Sequence, residues 1–242
     1  MLHYFANPSR FQNIARFLWP LFGALSLALF TLGTHAALVT SPPDYQQGET
    51  VRIMYVHVPA AWMALALYTV MALAAMSAFV WKHTVADLFC KAAAPVGAVL
   101  SAICLITGSI WGKPMWGAWW VWDARLTSML ILFFLYVGFI VLRNAFDDTS
   151  DGGQRGEKAS QILLVVGLIN IPIIKFSVDW WNTLHQGATV IRKGGPALDS
   201  TMMPPLFLMA GGVFFFCGAI ILLRILTAIT LKKLENTQKG QD

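Results

Sequence analysis

Six apolar runs, each about as long as a bilayer is thick, constrain the fold of this chain more than any other feature. They cover residues 17–39, 59–81, 92–110, 126–142, 159–178 and 204–229. A membrane span needs about 20 apolar residues, because an α-helix rises about 1.5 Å per residue. A helix also pairs every backbone N–H and C=O group within its own segment, as a lipid environment requires. The runs predict an all-α integral membrane protein, folded as one polytopic domain over residues 1–242 with six transmembrane helices.

The composition agrees with a membrane protein. Hydrophobic residues make up 57% of the chain and charged residues 12%, values that a soluble domain rarely shows. The net charge of +5 comes from scattered basic residues without an arginine-rich stripe, which argues against nucleic-acid binding. The first run could be a signal peptide cleaved near residues 34–36, but its length of roughly 22 residues favours a retained anchor.

The basic residues also predict the orientation of the six spans, which place both termini on one side. Residues 82–91 and 143–158 are read as charged, solvated connections on the inner side, together with both termini. The outer segments would then hold six of the seventeen lysines and arginines: Arg52, Lys113, Arg125, Lys175, Arg192 and Lys193. The inner segments would hold the other eleven. Because cytoplasmic loops carry the excess of positive charge, both termini are predicted to be cytoplasmic.

The connection between the third and fourth runs, residues 111–125, holds half of the ten tryptophans. These are Trp111, Trp116, Trp119, Trp120 and Trp122. Gly112, Pro114 and Gly117 argue against an uninterrupted helix through its first half. From about Met115 onward, the spacing of the tryptophans and Asp123 predicts a short amphipathic helix with an indole face. Such a rigid aromatic surface suits a large planar apolar ligand. The alternative is an aromatic belt at the membrane surface.

Two histidines are predicted on the same outer side as this connection. His57 precedes the second run, just outside a helix whose first turn holds Pro59, and His185 follows the fifth run. Two imidazoles across an aromatic surface would supply the axial ligands of a haem iron, so both are predicted metal ligands. Either histidine alone would be explained by a structural hydrogen bond. His35 is a weaker third candidate.

Charged residues of the same region could hold the carboxylates of haem. Arg125 is the best placed cation, since a guanidinium binds a carboxylate through two hydrogen bonds. The alternative is that Asp123 and Arg125 form a local ion pair or cap the fourth helix. None of the three cysteines lies in a Cys-x-x-Cys-His motif, so covalent haem attachment is not expected. No phosphate-binding or hydrolase motif is present, and no catalytic residue is predicted.

Residues 111–127, WGKPMWGAWWVWDARLT, resemble the WWD domain of the cytochrome c assembly family of haem-handling membrane proteins. The segments YVHVPAA at 55–61 and DWWNTLHQG at 179–187 resemble the two histidine segments of the six-span members of that family. The resemblance implies a bacterial inner-membrane protein whose WWD loop faces the periplasm. There His57 and His185 would ligate haem b without a covalent bond, and the tryptophans, Asp123 and Arg125 would line the site.

The resemblance also implies a function and a set of partners. The chain would deliver haem to the periplasmic haem chaperone CcmE for cytochrome c biogenesis, together with the small membrane subunit CcmD and the ABC transporter subunits CcmA and CcmB. It would handle and transport haem and would not be an enzyme. The alternatives are a haem lyase-type transferase, a b-type electron-transfer cytochrome, a haem translocator and a structural subunit.

Overall fold

The computed structural model describes residues 8–145, 152–187, 189, 190, 192 and 194–239. Within these residues the chain forms seven α-helices and no β-strand. The helices are α1 (Pro8–His35), α2 (Met54–Trp81), α3 (Thr84–Trp116), α4 (Ala124–Asn144), α5 (Gly152–Gly167), α6 (Asn170–Trp180) and α7 (Met203–Lys239). Six segments are long and apolar enough to cross a membrane, with α5 and α6 together forming one of them. The prediction of an all-α protein with six spans is confirmed.

The core lies between α2, α3 and α4, and α5 and α7 pack around them, while α1 lies mainly along α7. Two fully buried tyrosines join the central helices, with their rings edge to face at 5.2 Å. The Tyr136 hydroxyl donates to the Ala64 carbonyl at 2.7 Å, and the Tyr68 hydroxyl donates to the Leu163 carbonyl at 3.3 Å. Gly97 makes room for Tyr136, because a Cβ at Gly97 would lie 2.1 Å from the phenol ring. The tyrosines therefore fill the core without leaving a polar atom unpaired.

A buried ion pair joins α3 to α4 at the end of the bundle remote from the tryptophans. The Arg143 guanidinium donates through both terminal nitrogens to the Asp87 carboxylate, at 2.7 and 2.6 Å. The prediction that a solvated connection begins at Arg143 is wrong, because this pairing holds Arg143 inside the bundle as α4 continues to Asn144. The connection also ends earlier than predicted, since α5 begins at Gly152. Residues 146–151 of that connection lie outside the described residues.

The charged turn predicted over residues 82–91 is also wrong in extent. Only Lys82 and His83 separate α2 from α3. Lys82 takes a left-handed conformation with φ of 53°, which ends α2 sharply. His83 then caps α3, as its Nδ1 accepts the N–H of Ala86 at 3.1 Å. The cap lets α3 begin at Thr84, eight residues before the apolar run does.

The fifth span is interrupted. Helix α5 ends at Gly167 and α6 begins at Asn170, with Leu168 and Ile169 in tight turns between them. The Asn170 side chain donates to the Ser128 carbonyl at 2.9 Å and so fastens the interruption to α4. The short helix α6 leads directly into the connection that carries His185.

Candidate functional site

His57 lies within helix α2, at its fourth residue. The prediction that it precedes the helix, with Pro59 in the first turn, is wrong. A helical turn over Glu49–Ile53 leads straight into α2, which begins at Met54. Burial of Tyr55, at 1% exposure, holds this early helical turn against neighbouring elements. Tertiary packing therefore outweighs the hydrogen bond that Pro59 cannot donate.

The hydrogen bonds of His57 leave one ring nitrogen without a strong partner. Its Nδ1 lies 3.0 Å from the Thr107 hydroxyl oxygen. The Thr107 hydroxyl donates its own hydrogen bond to the Ile103 carbonyl at 2.6 Å, so its oxygen accepts the hydrogen bond from His57 Nδ1–H. The Nε2 atom then carries a lone pair, and the Cys104 sulfur lies 4.0 Å from it. A neutral imidazole with an available Nε2 lone pair can act as a metal ligand.

His185 shows the same arrangement on an irregular segment. Its Nδ1 lies 2.9 Å from the Gln186 carbonyl, which can only accept, and 3.4 Å from an Arg125 nitrogen, which can only donate. The shorter contact with the carbonyl favours the tautomer in which Nδ1 carries the proton and Nε2 the lone pair. The Thr183 hydroxyl accepts the backbone N–H of His185 at 3.2 Å and donates to its carbonyl, also at 3.2 Å. These local hydrogen bonds hold a ligating tautomer in place without a helix.

Two tryptophans at the end of α3 lie beside the two imidazoles. Trp111 meets His57 edge to face, with ring centroids 5.7 Å apart, and Trp116 lies 6.3 Å from His185. The first, third and fifth connections thus converge at one end of the bundle, as the predicted topology requires. Ligand binding by these side chains stays a prediction.

The amphipathic helix predicted from Met115 onward is not present. Helix α3 continues through Pro114 to Trp116, and Gly117 ends it with φ of 74° and its N–H bonded to the Lys113 carbonyl at 3.0 Å. Pro114 removes one hydrogen bond near the helix end, while Trp116 packs onto Gly112, where a Cβ would lie 2.9 Å from the indole. Residues 117–123 are irregular, so the irregular connection is shorter than the predicted 111–125.

The five tryptophans therefore form two groups instead of one flat surface. Trp111 and Trp116 lie on α3 beside the histidines, and the other three lie in the irregular segment. Trp119 and Trp122 are 57% and 77% exposed, whereas the ring nitrogen of Trp120 is buried. The exposed pair leaves aromatic surface open at the mouth of the site.

Asp123 caps helix α4, and Arg125 is held by several acceptors. Asp123 Oδ1 accepts the N–H of Leu126 at 2.7 Å. Arg125 donates to the Ser177 hydroxyl at 3.1 Å and to two carbonyls of α6 at 3.3 Å, and lies 3.4 Å from His185 Nδ1. The capping alternative for Asp123 is therefore present, while no Asp123–Arg125 salt bridge occurs among the described side chains. A carboxylate-binding role for Arg125 stays a prediction.

Two concave surfaces adjoin this region, and neither is lined by a histidine. An apolar cavity of about 520 Å³ is lined by Leu105, Ile106, Ser109, Ile110, Trp120, Trp122 and Leu130. A smaller one of about 250 Å³ is lined by Val121, Trp122, Asp123, Asn182, Thr183 and Leu184. His35, the third candidate, is exposed at the end of α1.

The sequence did not single out the residues that support the two imidazoles. Thr107 and Ser177 looked like ordinary polar residues within apolar helices, and Gln47 lay in a polar turn. The Gln47 side chain accepts the indole N–H of Trp111 at 2.9 Å. The sequence does place Cys104, Thr107 and Gly108 on one face of α3. This cluster of small residues was the one pattern that could have pointed to close packing of His57 against α3.

The site suits a metal that already has most of its ligands. No group of three His, Cys, Asp or Glu side chains able to hold a bare metal ion occurs among the described residues. Two imidazoles can complete an octahedral metal that brings four ligands in a plane. Trp111 and Trp116 would cover apolar parts of such a planar group.

Burial lowers the pKa of His185 below its ordinary value of about 6.5. The hydrogen bond to Gln186 raises this pKa in part, and the positive charge of Arg125 lowers it further. Above pH 6.5 this histidine is neutral in both the folded and the unfolded protein. As the pH falls below 6.5, the unfolded chain takes up a proton first, so folding loses stability until the lower folded pKa is reached. We expect the free energy of unfolding of the haem-free protein in detergent to fall over that window. The fall should be smaller in His185→Gln, and an identical fall in both proteins would contradict the assignment.

Comparisons with known proteins agree over nearly the whole chain. The family model described as heme exporter protein C matches residues 1–240. A heme exporter protein C of Bradyrhizobium diazoefficiens is 49% identical over 205 residues, which cover 85% of this chain and 76% of that protein. One from Escherichia coli is 45% identical over 230 residues, covering 95% and 91%. A putative cytochrome c biosynthesis ccmC-like mitochondrial protein of Marchantia polymorpha is 45% identical over 195 residues, covering 81% of each chain.

Proposed function

The chain belongs to the heme exporter protein C family, and from that membership we propose that it binds haem at the periplasmic face and passes it to the haem chaperone CcmE. It is a multi-pass protein of the bacterial inner membrane with a role in haem export for cytochrome c biogenesis. Haem b is the cargo, held without a covalent bond. The chain handles and transports haem as a subunit of a complex with CcmD, CcmA and CcmB.

One observation carries the proposal. His57 and His185 each have Nδ1 engaged by a hydrogen-bond acceptor, which leaves each Nε2 lone pair available. A hydrogen bond from the ring nitrogen that does not bind the metal is typical of metal-ligating histidines. Haem iron is held equatorially by its porphyrin and needs two axial ligands, the number of imidazoles present. The residues of this site therefore fit haem better than a bare metal ion.

The surroundings divide the remaining tasks. Trp111 and Trp116 cover apolar porphyrin surface near the imidazoles, and Trp120 contributes a partly buried indole. The exposed Trp119 and Trp122 offer a surface on which an incoming chaperone reaches the porphyrin edge. Asp123 fixes the start of α4, so that Arg125 is positioned to bind a haem carboxylate.

The two imidazoles are held with different firmness, which suits a protein that must release its cargo. His57 lies on a continuous helix in contact with α3, whereas His185 lies on the irregular connection after α6. His185 is held by local hydrogen bonds to neighbours in the chain, and the side chains of Trp116 and Arg125 lie beside it. Movement of that connection would loosen one ligand while His57 keeps its position.

The proposed orientation follows from the distribution of positive charge. With both termini cytoplasmic, the site faces the periplasm, where CcmE is found. No nucleotide-binding motif is present in the sequence, so the CcmA and CcmB subunits would supply energy from ATP to the complex.

An absorption spectrum of the detergent-purified protein, produced together with CcmD and CcmE, tests the proposal. We expect the Soret and sharp α and β bands of low-spin haem with two nitrogen ligands. Extraction with acidified acetone should remove the haem from this chain, and incubation with haem-free CcmE should transfer it. Haem that never transfers would indicate a b-type cytochrome. A chain that lacks haem in the presence of its partners would be a structural subunit, and the proposal would fail.

A further inference from the structure

One face of α3 surrounds the imidazole of His57. Cys104, Thr107, Gly108 and Trp111 follow one another at intervals of three, one and three residues, and so lie on one side of the helix. Each of the four contacts a different part of the ring or lies beside it. Such a continuous face can fix both the position and the rotation of a side chain from a neighbouring helix.

Thr107 controls the Nδ1 side of the ring. Its hydroxyl oxygen lies 3.0 Å from His57 Nδ1, and its proton is directed to the Ile103 carbonyl at 2.6 Å, with the Cys104 carbonyl at 3.3 Å. A hydroxyl whose proton is already bound within its own helix is available to Nδ1 only as an acceptor. The hydrogen bond therefore selects the tautomer in which Nε2 is unprotonated.

The other positions set the plane of the ring. A Cβ on Gly108 would lie 3.0 Å from His57 Cε1, so the absence of a side chain there permits the observed approach. The Trp111 indole stands nearly perpendicular to the imidazole, at 79°. On the Nε2 side the Cys104 sulfur is 4.0 Å away, too far to take the lone pair by a strong hydrogen bond.

We propose that Thr107 is a positioning residue for haem binding, which fixes the tautomer and orientation of His57 and strengthens its Nε2 as a ligand of the haem iron. The proposal rests on the proposed function and goes beyond it by assigning a role to a residue that acts through His57. A hydrogen bond accepted from Nδ1–H raises the basicity of a ligating imidazole. A more basic axial ligand favours ferric over ferrous iron and lowers the reduction potential.

Thr107→Val provides the test, because it keeps the shape of the side chain and removes the acceptor. Loss of the hydrogen-bond partner of a metal-ligating histidine typically lowers metal affinity about 10- to 100-fold. We expect a loss of haem affinity of that order and a higher reduction potential for the haem that remains. Thr107→Ser keeps the hydroxyl and should restore both values. The full chain, produced with its partners and purified in detergent, is used throughout.

Thr69→Val is the matched control. Thr69 is also a half-buried threonine within a span, and its hydroxyl likewise donates to the carbonyl four residues earlier, Leu65, at 2.9 Å. No contact between Thr69 and a histidine is present among the described residues. Thr69→Val should leave haem affinity and reduction potential unchanged, so that a shift confined to Thr107→Val reports the bond to His57.

Gly108→Ala gives a second test that removes no hydrogen-bonding group. The added methyl would push against His57 Cε1, and we expect weaker haem binding at an unchanged yield of folded protein. If Thr107→Val and Gly108→Ala both bind haem with native affinity and potential while His57→Ala loses it, the positioning role is wrong and the proposed function stands. If His57→Ala also retains native haem, His57 is not a ligand of the iron, and the haem site of the proposed function is wrong. Equal losses in Thr107→Val and Thr69→Val would also overturn the positioning role.

Discussion

His57→Ala is expected to remove most of the haem that the native protein retains. The substitution deletes one of the two proposed axial ligands and leaves the Thr107 hydroxyl without its donor. The loss of affinity should exceed the roughly 10- to 100-fold that removal of a ligand's hydrogen-bond partner alone produces. His185→Ala should weaken binding in the same way, and any haem that remains in either variant should lose the spectrum of two nitrogen ligands. Haem per folded protein and the visible and electron paramagnetic resonance spectra measure both effects.

His35→Ala is the control for these substitutions. His35 is exposed at the end of α1, so its removal should leave haem content and spectrum unchanged. Addition of free imidazole should restore a six-coordinate spectrum to the alanine variants, because it can occupy the vacated axial position. Native haem content and spectra in both His57→Ala and His185→Ala would show that other residues hold the iron.

Asp87→Leu is expected to destabilise the protein by about 3–5 kcal/mol, the usual cost of removing one partner from a buried ion pair. Arg143 has 7% of its side chain exposed and donates two hydrogen bonds to Asp87, so the substitution leaves a guanidinium charge without its counter-charge. Gln161, whose amide reaches Asp87 at 3.3 Å, would also lose an acceptor. Unfolding in mixed micelles of mild detergent and dodecyl sulfate measures the change.

The double variant Asp87→Leu with Arg143→Met separates charge burial from packing. Removal of both charges often costs far less than removal of one, because no unpaired charge remains. We expect the double variant to recover most of the stability lost in Asp87→Leu. A single variant as stable as the native protein would show that Arg143 reaches water or another acceptor, and equal losses in the single and double variants would assign the effect to shape.

The number and type of the long helices could be predicted from the sequence, because apolar length alone determines what can cross a bilayer. The ends of the helices could not, since they depend on partners elsewhere in the chain. The sequence predicts Arg143 in a solvated connection, because it does not show that Asp87, 56 residues earlier, pairs with Arg143 inside the bundle. The sequence likewise predicts His57 before its helix, because it does not show that Tyr55 is buried and that the helix therefore begins at Met54.

The sequence predicted that the two histidines and the tryptophans lie at the same end of the bundle. It did not predict the residues that hold these side chains in place, such as Thr107 and Gln47. Membrane topology brings the three connections together, and a helix interval of five residues places Trp111 and Trp116 near the histidines. The predicted continuous indole face failed because Gly117 ends α3 before Trp119. The role of Thr107 could not be predicted, because a threonine within a helix commonly forms a hydrogen bond only with its own helix backbone. Its other partner, His57, lies fifty residues earlier in the sequence.

Arg125 has a consequence for how cargo and protein fold are coupled. Its guanidinium binds the Ser177 hydroxyl and the carbonyls of Ile174 and Lys175, so it tethers the last turns of α6 to the start of α4. A carboxylate that draws Arg125 away must compete with that tether and therefore loosens α6 as it binds. Thermodynamic reciprocity then requires that any change which frays the end of α6 raises the affinity of Arg125 for a carboxylate. If Arg125 binds a haem carboxylate as proposed, the stability of the last turns of α6 would help to set how tightly that carboxylate is held at the start of α4.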